Sequence, residues 1–141
     1  MAIKVLLAAV FLQVGLTLAL LAWLGRARAH SARQGEVKIA DVALSSDPWP
    51  DRIKQISNAF SNQFELPVLF YVAALLAIVL GKVDGVVAAL AWAFVALRLV
   101  HAYIHVTNNR VIRRFQIYVL GFIMLVALWL YIAVDVLVAA P

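Results

Sequence analysis

The chain has 141 residues, of which 66% are hydrophobic and 13% charged, with 12 Lys and Arg against 7 Asp and Glu. A soluble domain is about 45–50% apolar and ~25% charged, so this composition excludes a water-soluble globule and makes the bilayer the fitting solvent. There is no cysteine, which excludes a disulfide framework, a thiolate metal site and a cysteine nucleophile; the length is that of a single domain, 1–141.

A helix needs about 20 apolar residues to cross ~30 Å of hydrocarbon, and four stretches qualify. The first covers about 3–24 and is broken only by Lys4, Gln13 and Gly15. Lys4 and the small residues of Ala27-Arg28-Ala29 resemble parts of a cleaved signal. The apolar run is longer than the ~7–15 residues of a signal core, so a retained helix is expected.

The segment 25–57 is the only sizeable polar loop and carries Arg26, Arg28, Arg33, Lys38, Arg52 and Lys54. In its middle, Asp47-Pro48-Trp49-Pro50-Asp51 disfavours helix, because each proline restricts the residue before it. Trp49 is expected at headgroup level. Asp51 is expected to cap a helix that leads into the second span, about 64–81, with Glu65 and Pro67 at its entrance. A short turn follows, then a third span over about 86–106 that carries Arg98, His101 and His105. Arg110, Arg113 and Arg114 lie in the next turn, and the fourth span, about 115–139, holds only Gln116 and an isolated Asp135, read as interfacial.

These elements predict an all-α membrane protein, a bundle of four transmembrane helices. Cytoplasmic loops are enriched in Lys and Arg, so the first and third loops are expected in the cytoplasm and both termini on the far side, in a cell inner membrane. The basic residues flank spans, which makes them topology determinants and leaves no expectation of a nucleic-acid partner.

Polar side chains inside spans cost roughly 2.5–3.5 kcal/mol for Arg, Lys or Asp at the helix centre, so they normally face other helices or a wet cavity. On an unbroken helix Asn58, Asn62 and Glu65 fall within about 60° of one another, as do Arg98, His101 and His105. Two helices thus present polar stripes at the cytoplasmic end, next to Arg110, Arg113 and Arg114. They describe an electropositive pocket with one carboxylate, suited to a small zwitterionic anion, since arginine pairs with carboxylates bidentately.

Plainer readings stand beside this one. Glu65 and Arg98 could form an ion pair that only joins two helices, and the three loop arginines could be simple anchors. His101 and His105 have the i, i+4 spacing of metal ligands, but the adjacent Arg98 disfavours a cation and no metal is expected. Trp92, Trp129, Tyr118 and Tyr131 read as lipid-facing or packing residues.

The run Asn62-Gln63-Phe64-Glu65-Leu66-Pro67 resembles the opening of the second helix in the MAPEG family, the membrane-associated proteins of eicosanoid and glutathione metabolism. Arg98-Leu99-Val100-His101, continuing through His105 to Asn109-Arg110-Val111-Ile112-Arg113-Arg114, is similar to that family's third helix and its arginine-bearing turn. The resemblance covers nearly the whole chain. It implies a four-helix bundle assembled as a homotrimer, with glutathione as co-substrate near the cytoplasmic end between subunits. By position, Asn62 and Glu65 match glutathione contacts, Arg98 and His101 match third-helix site positions, and Arg110 or Arg114 falls where an arginine faces the thiol. Asn58 stands where glutathione-using members carry arginine, and His105 where tyrosine is common.

The implied activity is a glutathione-dependent transferase or peroxidase acting on small lipophilic electrophiles drawn from the bilayer. A non-enzymatic trimer binding another anionic metabolite or a lipid headgroup is the alternative, and it accommodates Asn58 and His105 directly. A proton-coupled exporter built on Glu65 is disfavoured, because the surrounding basic residues work against proton cycling.

Overall fold

The structure, a computed structural model, describes residues 1–43 and 45–138. Its helices are α1 (Ala2–Arg33), α2 (Asp51–Ser61), α3 (Leu66–Val79), α4 (Gly85–Val106) and α5 (Val111–Leu137), with short 3₁₀ turns at Ile39–Val42 and Asn62–Phe64. Four helical spans are long and apolar enough to cross a membrane: Ala2–Arg33, Asp51–Val79, Gly85–Val106 and Val111–Leu137. The expected four-span bundle is therefore the observed architecture.

α4 is the hub, packing most extensively on α5 and next on α1, while α2 leans on α1 and α4. The main core joins Leu6 and Ala9 of α1, Phe70, Ala73 and Ala77 of α3, Val87, Ala91 and Phe94 of α4, and Leu125, Leu128 and Ile132 of α5. Lipid tails are as apolar as leucine, so helices associate by close packing, and alanines at the contacts let backbones approach. Phe70 stacks on Phe94 between them, with ring centroids 5.0 Å apart.

The turns follow from local chemistry. α3 ends where Gly81 takes a positive φ of 67° and Lys82 N donates to Ala77 O, the Schellman closure that favours glycine. Asp84 then caps α4 by accepting from Val87 N at 2.9 Å. At the other end of α4, Asn109 adopts a φ of 47°, a left-handed conformation that asparagine tolerates better than most residues.

Several expectations need correction. α1 does not stop near residue 24 but continues to Arg33, because alanine and arginine extend a helix well even where hydropathy falls. The predicted loop 25–57 shrinks to 34–50, since α2 already begins at Asp51. Asp51 is the first helical residue and not the cap; Pro50 holds the cap position, and Asp51 pairs instead with Lys54 at 2.8 Å. Trp49 packs beside the cluster of Leu24, Ile53 and Ile56, with the Arg28 guanidinium 5.5 Å from its ring centre. α5 begins at Val111 and not at 115, and the predicted end of the last span, at 139, lies outside the described residues. Asp135 is not alone: Lys82 reaches it at 3.3 Å.

The correction that matters most concerns the second span. It is two helices, α2 and α3, separated by the 3₁₀ turn and by Glu65, whose φ of −98° and ψ of −108° are not helical. Pro67 explains the break: it has no amide to donate to the carbonyl four residues earlier, and it suits the first turn of a new helix.

Candidate functional site

The break sits at the end of the bundle that carries the basic loops, and a cleft of about 240 Å³ opens there, lined by Asn62, Glu65, His101, Val111, Arg114, Phe115 and Tyr118. Three elements converge on it. The 3₁₀ turn and the break residue bring Asn62 and Glu65; α4 brings His101; the first two turns of α5 bring Arg114, Phe115 and Tyr118. Arg114 is held by donating from Nη1 to Oδ1 of Asn109, the residue in the left-handed turn between α4 and α5. His101 lies with its ring centroid 5.8 Å from that of Tyr118.

Behind the cleft runs a buried polar layer. Arg98 is 1% exposed and donates from Nη2 to the Asn62 carbonyl at 2.8 Å. Gln13, 0% exposed on α1, donates to the side-chain oxygen of Gln63 at 2.9 Å, and Gln63 donates in turn to Ala59 O at 2.9 Å. His105 is buried one turn beyond His101, with the two rings edge to face at 5.8 Å.

Of the residues singled out in the sequence, Asn62, Glu65, His101 and Arg114 share the cleft. Arg98 and His105 do not line it and form part of the buried support. Asn58 is exposed on α2 one turn before Asn62, which donates to its carbonyl at 3.5 Å, and it does not line the cleft. Arg110 is the exposed cap residue of α5 and borders a separate shallow concavity with Val111, Ile112 and Arg113. The Glu65–Arg98 ion pair is not formed; among the described residues the ion pairs are Lys54–Asp51 and Lys82–Asp135. Tyr118 packs against the main core, as expected, and also lines the cleft, a role not expected from the sequence. It stands four positions after Arg114, so the two share a helix face, and that spacing was available to find it.

The cleft can do three things chemically. Arg114 can stabilise an anion, Glu65 and Asn62 can accept and donate hydrogen bonds to a peptide-like ligand, and the hydroxyl of Tyr118 can donate to an anionic atom. Val111, Ile112 and Phe115 are exposed beside it, at 64%, 75% and 65%, and offer an apolar approach. The family model of the MAPEG family matches residues 6–134, a range that holds every cleft residue. The chain belongs to the MAPEG family. No curated protein and no solved structure was found to match it. Membership of the MAPEG family agrees with the four apolar spans, and the chain is an integral membrane protein of that family.

Proposed function

We propose that this MAPEG protein binds glutathione in the cleft and joins its thiolate to small lipophilic electrophiles. The observation that carries the reading is the meeting of one carboxylate, one guanidinium, an amide, an imidazole and a phenol beside an exposed apolar surface. Glu65 and Asn62 hold the peptide, Arg114 stabilises the thiolate, and His101 and Tyr118 complete the polar wall. The thiolate attacks an electrophilic carbon, forming the S–C bond while the leaving group departs with its electron pair; the thiol proton has already gone to water. With a hydroperoxide in place of the carbon electrophile, sulfur attacks the distal oxygen, the O–O bond breaks and the alkoxide leaves to take up a proton as the alcohol; a second glutathione converts the resulting sulfenic acid to the disulfide and water.

At about 240 Å³ the cleft is smaller than the ~300–1,000 Å³ of a typical ligand pocket. It suits the reactive half of the tripeptide, with the rest covered by a neighbouring subunit in the homotrimer that family resemblance implies. The same reading puts the basic loops in the cytoplasm and both termini on the far side of the inner membrane. The test is titration calorimetry of glutathione into the detergent-purified protein. Saturable binding is expected, weakened in Glu65→Gln by roughly tenfold or more, the loss of a charged hydrogen bond. No heat at millimolar glutathione would sink the reading in favour of a non-enzymatic binder of another anion or lipid headgroup.

A further inference from the structure

Gln13 does not line the cleft, yet it bonds to a residue of the turn that does. A glutamine in the apolar half of a membrane helix is costly unless it is bonded, and Gln13 is completely buried. Its partner, Gln63, occupies the middle of the 3₁₀ turn between α2 and α3, flanked by Asn62 and followed two residues later by Glu65. The turn is therefore fastened from two helices at once. α1 grips it through the Gln13–Gln63 bond, and α4 grips it through Arg98 on the Asn62 carbonyl. Gln63 also folds its own amide back onto Ala59 O, at the end of α2.

We propose that the Gln13–Gln63 pair is a positioning device that sets the angle of the helix break and so aims Asn62 and Glu65 into the cleft. This rests on the glutathione reading given above. The pair joins α1 to the turn across fifty positions of sequence, where no backbone hydrogen bond could hold it. Neither glutamine lines the cleft, so neither is a ligand contact.

The experiment compares wild type, Gln13→Leu and the double variant Gln13→Leu, Gln63→Leu. A single substitution leaves the Gln63 side-chain oxygen buried without its donor, whereas the double one removes that oxygen and restores an apolar contact, although Ala59 O loses its side-chain donor, so stability returns only in part. Melting temperature should therefore drop in the single variant and recover in part in the double. Glutathione affinity should not recover: both variants should bind roughly three- to tenfold more weakly, the worth of one hydrogen bond. A merely structural pair would move melting temperature and affinity together, so a double variant with wild-type affinity overturns the proposal. Hydrogen exchange of the amides 62–66, measured without glutathione, separates the two claims. If wild type fails to bind glutathione the functional reading falls alone, and the positioning claim is decided by exchange. Faster exchange in both variants upholds it, and unchanged exchange in the double variant overturns it.

Discussion

Removing the Arg114 guanidinium tests the chemistry most directly. Two unit charges 4 Å apart interact by about 1 kcal/mol in bulk water and about 4 kcal/mol at the effective dielectric near a protein surface. Arg114 is half-buried and anchored to Asn109, so its effect on a thiolate in the cleft falls between those limits. Taking about 2.7 kcal/mol lowers the thiol pKa by roughly two units. A free thiol with a pKa of about 8.5 is ~3% ionised at pH 7, and a shift of two units raises that to about 75%. The 25-fold gain in thiolate, an estimate of roughly that size, is partly offset because nucleophilicity falls with basicity, by nearly tenfold over two units at a Brønsted slope of ~0.4–0.5. Arg114→Ala should thus slow conjugation at pH 7 by roughly 2.5- to fourfold, and at pH ~9.5 it should exceed wild type by about six- to ninefold. The assay is the rate of conjugation to an electrophilic aryl halide at saturating glutathione, from pH 6 to pH 10, corrected for the uncatalysed reaction. A loss of equal size at every pH refutes the thiolate role and reduces Arg114 to a docking charge.

Two further outcomes are expected. Pro67→Ala restores the amide that α3 lacks at its first turn, so helix can run through Glu65; thermal stability should hold or rise, while glutathione affinity falls about tenfold as the carboxylate leaves the cleft. Unchanged affinity by calorimetry would show that the break does not aim Glu65. In the turn between α3 and α4, the Tyr131 hydroxyl and the Val87 amide hold the Asp84 carboxyl below its ordinary value of 3.8. A carboxylate with a depressed folded-state pKa contributes its full stability above that ordinary value and loses it as pH falls toward the depressed one. Melting temperature should therefore drop below about pH 4 in wild type and less steeply in Asp84→Asn, and superimposable acid limbs would refute the pairing.

The spans were legible because the hydrocarbon thickness imposes a length of apolar residues that nothing else in a 141-residue chain explains. The third span was placed within a residue of α4 for that reason. Helix ends were less legible, since hydropathy fades at charged residues while helix propensity does not. α1 runs past Arg26 and Arg28 to Arg33, about 48 Å in all at 1.5 Å per residue, beyond the hydrocarbon. The site was half legible. Asn62, Glu65 and His101 are legible from their spacing and Arg114 from its place in the basic turn and the family resemblance, but Glu65 leaves the expected stripe because Pro67 breaks the helix there. Gln13 and Gln63 could not have been paired, because only the tertiary fold brings positions fifty apart into contact.

The break in the second span links these observations through a single cause. Without the Pro67 amide, the helix cannot continue, and the segment around it turns Asn62 and Glu65 toward α5. The same event frees backbone carbonyls inside an apolar bundle, where an unsatisfied one costs several kcal/mol. Side chains supply donors at the turn and at the end of α2: Arg98 donates to Asn62 O, and Gln63 donates to Ala59 O. The acceptor for Arg98 is the carbonyl at the turn that displays the candidate site, so the buried arginine behind the cleft fastens the segment that the proline break exposes.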